Sequence, residues 1–196
     1  DIEHTNEIAT FDPTWVDSLS LSLPCYGIPV PKRTMRLPNA PRNYRNGTHR
    51  GLDFFANWGT PVRSVADGIV VRSDLHYEEV PADFRENLLK ATTKVGHTPS
   101  DIFNSVLLGK SVFLDHGFDL IPGFRTISIY AHLSHIEKEI VPGTKVKRGE
   151  LLGKSGNTGM RESTIGSKAG SHLHWELILQ KEGEEIYLGK GMSNPE

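Results

Sequence analysis

The chain has 196 residues, 37% of them hydrophobic and 23% charged, and a net charge of -2. That length supports one domain with a sizeable core and room for extensions. The near-balanced charge excludes the basic footprint of a nucleic-acid binder or of a protein held on an anionic membrane, and no run of 18 apolar residues marks a transmembrane helix.

In chain order, residues 1–36 are polar and then Pro-rich around Pro24, Pro29 and Pro31, with neither helical nor strand period, and read as an N-terminal extension. A start at Asp1 without a signal peptide fits a processed or trimmed chain. The single cysteine, Cys25, has no partner for a disulfide or a C-x-x-C motif and reads as a small apolar residue. The main domain is expected over 37–196, entered through loops marked by Pro38, Pro41 and the run Asn43 to Gly47. Thr60 to Val71 reads as two β segments joined by the Asp67-Gly68 turn. Residues 74–110 show little alternation, and Ala82 to Thr92, with Phe84, Leu88 and Leu89, has helical spacing. This stretch is expected to be a long insertion with one helix, either walling a substrate groove or decorating the surface. Further strands are expected at Ser111 to His116, Thr126 to Ala131 and His172 to Leu179, the last a central one. Between them, Gly143, Gly149, Gly153, Gly156 and Gly159 punctuate short strands. The fold class that follows is mainly β, an antiparallel sandwich or barrel-like core with Gly-rich hairpins.

Three histidine motifs carry the chemistry. His172 and His174 are two apart, so on a strand they share a face about 7 Å apart while Leu173 enters the core. His49 and Asp53 are four apart; on a straight strand they would be about 13 Å apart, too far to share an ion, so Gly51 between them implies a tight bend. His132 stands in the isolated Tyr130-Ala131-His132-Leu133. Each motif alone is a weak signal, and strand histidines are often satisfied structurally. Two His and one carboxylate with an open fourth position suit catalytic zinc, and the same ligand types also hold Fe(II) in a facial triad. There is no H-E-x-x-H and no G-x-S-x-G. Gly149 to Ser155 imitates a phosphate-binding loop but has three residues between its glycines where four are required.

In order and wording, His49 to Asp53, Tyr130 to Leu133 and His172-Leu173-His174-Trp175-Glu176 resemble the lysostaphin or LytM-type zinc metalloendopeptidases, which hydrolyse peptidoglycan. Gly59-Thr60-Pro61-Val62, Ala66-Asp67-Gly68 and Val146 through Gly159 extend the resemblance over roughly residues 45–180. It implies one Zn²⁺ held by His49, Asp53 and His174, with water in the fourth position. His132 and His172 would lie beside that water as general base and as oxyanion or leaving-group partner. The implied substrate is a peptidoglycan peptide, met outside the cytoplasm in the periplasm, envelope or medium, or after delivery by a phage. The oligomeric state stays open. Residues 1–36, 74–110 and 160–170 depart from the family pattern and bear on substrate preference. Two other readings compete: a catalytically silent module that binds or activates a cell-wall amidase, and a biotinyl or lipoyl carrier, which leaves the histidines unexplained.

The remaining polar residues divide as follows. Tyr44 could approach the oxyanion as a tyrosine does in some relatives. His116, at a strand end, is either a neighbour of the site or structural. Glu176 shares the face of His172 and His174 and either orients a ligand or forms a rim salt bridge. His4, His76, His97 and His135 read as solvated, and Trp58 and Trp175 as packing residues.

Overall fold

Runs rich in Val, Ile, Tyr and Phe between Gly-rich turns favour short strands over helices. In a computed structural model, which describes residues 10–99 and 102–193, they form β1 (Pro41–Arg42), β2 (Gly47–Thr48), β3 (Leu52–Phe54), β4 (Pro61–Arg63), β5 (Gly68–Ser73), β6 (Val112–Asp115), β7 (Arg125–Ala131), β8 (Leu133–Ile136), β9 (Lys145–Val146), β10 (Leu151–Ser155), β11 (Leu173–Lys181) and β12 (Glu184–Tyr187). The large sheet runs β12-β11-β7-β6-β5-β9, with β3 also paired to β11, and a smaller sheet runs β4-β10-β8. The pairs in both are antiparallel, so the mainly β, antiparallel fold class expected from the sequence is the one observed. Val62, Leu133 and Leu152 of the small sheet meet Val70, Leu114, Tyr130, Leu173 and Leu177 of the large one in a single hydrophobic core.

The Asp67-Gly68 turn does not make a hairpin. β4 pairs with β10 and β5 with β6 and β9, so the two strands belong to different sheets. Val65 and Ala66 between them are buried in the shared core, which carries the chain from one layer to the other, and Asp67 accepts the Arg148 N–H at 2.8 Å. The described part of the N-terminal stretch lies on this core: Phe11 and Cys25 are buried in it, and Trp15 stacks 4.7 Å from Phe124. Burial pushes the Cys25 thiol up to about 11, which leaves it unreactive at neutral pH.

Tyr130 ties the layers together with a buried hydroxyl that accepts the Val65 N–H at 3.0 Å and bonds Ser128 at 3.0 Å. Tyr130→Phe orphans a buried backbone donor and is expected to cost about 1–3 kcal/mol of stability, read as a lower urea midpoint with an unchanged slope.

The helical spacing after Val80 gives α1 (Ala82–Val95), which follows Pro81 and stops at Gly96 in the left-handed region (φ 89°). A single wide helical turn follows at Phe103–Leu107. Phe103, Val106, Leu107 and Leu108, backed by Leu88 and Leu89, pack on Ile129, Ala131 and Ile178 as a second hydrophobic cluster. β11 is therefore covered on both faces: Leu173, Trp175, Leu177 and Leu179 point into the main core, and Ile178 on the alternate face packs under this segment. Among the described residues no helix is long and apolar enough to cross a membrane.

Candidate functional site

The ladder of β11 assembles the site. Its register sets His174 opposite Asp53 of β3 on one side and opposite Ala131 of β7, the residue before His132, on the other. His172 precedes the strand, bridged to Gly156, and shares the face of His174 and Glu176. His49 is fixed by main-chain hydrogen bonds to Ala40 and Asn39. The bend between His49 and Asp53 forms as expected, with an added reason for Gly51. A Cβ there would overlap the Trp175 carbonyl and lie 2.8 Å from Glu176 Cγ, so only glycine lets the loop pass this close to β11.

His49 Nε2, Asp53 Oδ1 and His174 Nδ1 form a triangle with sides of 2.9, 3.0 and 3.1 Å. Proton accounting shows what belongs inside it. His49 Nδ1 lies 2.8 Å from the Leu37 carbonyl, which only accepts, so Nδ1 carries the proton and Nε2 presents a lone pair. His174 Nε2 lies 2.8 Å from Glu176 Oε2 and likewise donates, which leaves Nδ1 as a lone pair. Two lone pairs and a carboxylate oxygen facing one another repel unless a cation fills the triangle. The sides are slightly tighter than the roughly 3.3 Å edge of a tetrahedron with bonds of about 2 Å. The donor set therefore fits a divalent metal ion, and these three residues form a group spaced to hold one.

Without a metal, the cation is a proton. Burial alone would lower the pKa of His174, but its hydrogen bonds and charge attraction to Asp53 and Glu176 carry it up to about 9. Burial also opposes ionisation of Asp53, yet hydrogen bonds from His174 and His49 hold its carboxyl well below the usual range. A divalent ion bound in this triangle below about pH 9 would have to displace the His174 proton, so its apparent affinity is expected to rise about tenfold per pH unit from about pH 7 to 9 and then to flatten. Competition titrations with a chelator at several pH values would measure this.

His132 and His172 hang over the same cavity, their rings 4.8 Å apart. Each donates Nδ1–H to a carbonyl, His132 to Thr158 at 2.7 Å and His172 to Gly170 at 2.8 Å, so each keeps Nε2 as a free acceptor. Burial, aided for His132 by the neighbouring imidazoles, pushes both pKa values down and keeps them neutral. His172 Nε2 stands 3.5 Å from Asp53 Oδ1, outside the tight triangle. His132 is held in the left-handed region (φ 59°), a conformation that costs a non-glycine residue about 1–2 kcal/mol. Its N–H donates to Leu108 at 2.9 Å.

Of the other expected residues, Tyr44 lines the cavity and is exposed. Glu176 is no rim group: it is fully buried, bonded to His174, with Arg50 Nε 3.3 Å from its other oxygen. His116 lies away from the cluster, buried between the Asp67 carbonyl at 2.7 Å and Ser128 Oγ at 2.6 Å. His76, His97 and His135 are exposed; His4 falls outside the described residues. Trp175 packs edge-on against Phe54, whereas Trp58 is 44% exposed under Lys168. Sequence reasoning missed Arg42, which pairs with Asp53 Oδ2 at 3.2 Å, and Thr158, whose carbonyl orients His132. From the stretch 74–110, Arg85, Phe103, Leu107 and Leu108 line the cavity.

The profile of peptidase family M23 matches residues 91–187, which include His132, His172 and His174. An uncharacterized metalloprotease of Buchnera aphidicola is 27% identical over 141 residues, 72% of this chain and 26% of that protein. The peptidoglycan DD-endopeptidase ShyA of Vibrio cholerae is 30% identical over 140 residues, 71% of this chain and 22% of that protein. The chain thus spans about a quarter of the length of these curated relatives. The lysostaphin catalytic domain from Staphylococcus simulans is 20% identical, with 86% of each chain covered and a TM-score of 0.42. The strand that carries His174, the histidine motifs on either side of it and the matched profile together identify a domain of peptidase family M23 in this chain.

Proposed function

We propose that this chain is a zinc-dependent endopeptidase that hydrolyses peptide bonds in the cross-links or stem peptides of peptidoglycan, acting outside the cytoplasm or after delivery by a phage. The observation that carries the reading is the triangle of His49, Asp53 and His174 open to a cavity that also holds two neutral imidazoles with free Nε2 atoms. Zinc bound there supplies Lewis acidity, polarising the scissile carbonyl and acidifying a water. His132 and His172 would supply the proton transfers: a free Nε2 accepts the proton of the attacking water, and the imidazolium so formed would steady the oxyanion or pass that proton, directly or through the other ring, to the departing amine. Their carbonyl anchors fix which nitrogen faces the substrate.

Glu176 holds His174 in the tautomer that offers Nδ1 to the metal. Glu176→Gln keeps an acceptor but removes the charge, and is expected to weaken zinc binding about tenfold, measured by chelator competition.

The reading is tested by incubating the zinc-loaded protein with purified sacculi and defined muropeptides and identifying the products by mass spectrometry. New amino termini that vanish on chelation and return with zinc are the expected result. One zinc per chain with no cleavage of any cross-linked sacculus would overturn the peptidase reading in favour of an amidase-binding or amidase-activating module.

A further inference from the structure

Two arginines are buried against the cavity, and among the described residues neither has a carboxylate to pair with. Arg45 and Arg85 both line it and are 6% and 7% exposed. A guanidinium cannot shed its proton, so burying one calls for a counter-charge or a full set of acceptors. Arg45, on the turn Asn43–Arg45, reaches the Thr48 carbonyl at 2.8 Å and Thr98 Oγ1 at 3.4 Å, and lies 4.9 Å from the centre of the Phe103 ring. Arg85, on α1, donates Nε–H to the Gly159 carbonyl at 3.2 Å, and its two terminal nitrogens have no hydrogen bond among the described residues. Neither arginine makes an ion pair among those residues.

Among the described residues, the acids nearest the two arginines are engaged elsewhere. Asp53 is held by Arg42 and the imidazoles. Glu79 accepts from Tyr77, Ser163 and the Gly159 N–H, across that residue from Arg85. Burial accordingly pushes the Arg45 guanidinium below its usual pKa. The local sequence also keeps room for this charge: a Cβ on Gly47 would overlap Arg45 Nη1.

We infer that the peptide bound in this cavity carries a carboxylate next to the bond that is cut, and that Arg45 and Arg85 take it as their counter-charge. The inference rests on the peptidase reading and specifies the charge of its substrate. The cavity measures about 240 Å³, and both arginines line it together with His49, Asp53 and His174, so the carboxylate they take belongs to a residue close to the scissile bond. Its source is either the C-terminus of the peptide or an acidic side chain.

The test uses zinc-loaded protein and three otherwise identical stem peptides: one with both carboxylates free, one with a C-terminal carboxamide and one with a side-chain carboxamide. Hydrolysis is followed by mass spectrometry, and binding of the matching product fragments by calorimetry. The free peptide is expected to show kcat/KM about 10- to 100-fold above one of the carboxamides, as loss of a charge-assisted contact predicts, and that carboxamide identifies the source. In Arg85→Gln and Arg45→Gln the ratio should shrink toward one, with Arg85→Lys retaining most of it. The ratio is also read in the unaltered protein, so a variant that fails to fold leaves the test intact. Equal rates for all three peptides would overturn the inference while upholding the peptidase reading. Absence of cleavage would overturn the peptidase reading, and the calorimetry then decides: tighter binding of the carboxylate fragment, lost in the glutamine variants, upholds the charge assignment, and equal affinities overturn it.

Discussion

His174→Ala is expected to bind no stoichiometric zinc and to hydrolyse peptidoglycan about 10³- to 10⁴-fold more slowly, the several kcal/mol that a Lewis acid supplies to a developing oxyanion. The reason lies in the triangle. His174 Nδ1 is one of its three corners, 3.0 Å from Asp53 Oδ1 and 3.1 Å from His49 Nε2, and alanine leaves two ligands where an open catalytic site needs three. The substitution also strands two acids, since His174 is the shared partner of Asp53 and of the fully buried Glu176. Breaking such a buried pair typically costs about 3–5 kcal/mol. Arg50 stays beside Glu176 and Arg42 beside Asp53, so the variant should fold with a lower melting temperature. Zinc per chain by elemental analysis, with circular dichroism as the check on folding, separates loss of metal from loss of fold. Full activity in the folded variant would contradict the proposed ligand set.

His172→Ala and His132→Ala should retain one zinc per chain and lose about 10²- to 10⁴-fold in turnover, the range that a positioned proton carrier contributes. His172 Nε2 is 3.5 Å from Asp53 Oδ1, half an ångström or more beyond the contacts that Asp53 makes with His49 and His174. His132 faces the same space from the opposite strand end, anchored on Thr158. Burial keeps both imidazoles unprotonated at neutral pH, the form a general base must have. Zinc content and kcat measured side by side are the deciding pair of quantities. If His172→Ala and His174→Ala lost zinc equally, the division of labour between the two histidines would be wrong.

Much of this was legible in the chain itself, because period-2 alternation and glycine spacing are local properties. They set the antiparallel β class, and the 3.6-residue period of Phe84, Leu88 and Leu89 set a helix that the structure extends to Val95. The face shared by His172, His174 and Glu176 also follows from alternation alone. Other features stayed hidden because they depend on what lies across a sheet. Nothing local says that the segments flanking Asp67-Gly68 belong to different sheets, or that Glu176 is buried. The arginines are hidden in the same way: Arg42, Arg45 and Arg85 look like solvated charges in a sequence with 22 basic residues, and only the packing of α1 and the turn at Asn43–Arg45 turns them toward the cavity.

The sequence by itself determined which residue types are available for the chemistry: two imidazoles two apart on a strand, a third in an isolated motif, and a histidine and a carboxylate four apart around a glycine. The tertiary structure decided which nitrogen of each imidazole is free, because that is set by the carbonyls of Leu37, Thr158 and Gly170 and the carboxylate of Glu176. A hydrogen bond to one ring nitrogen fixes the state of the other. Two of those four partners, Leu37 and Thr158, come from segments remote from the imidazoles they orient, and that long-range placement settles the tautomers of His49 and His132.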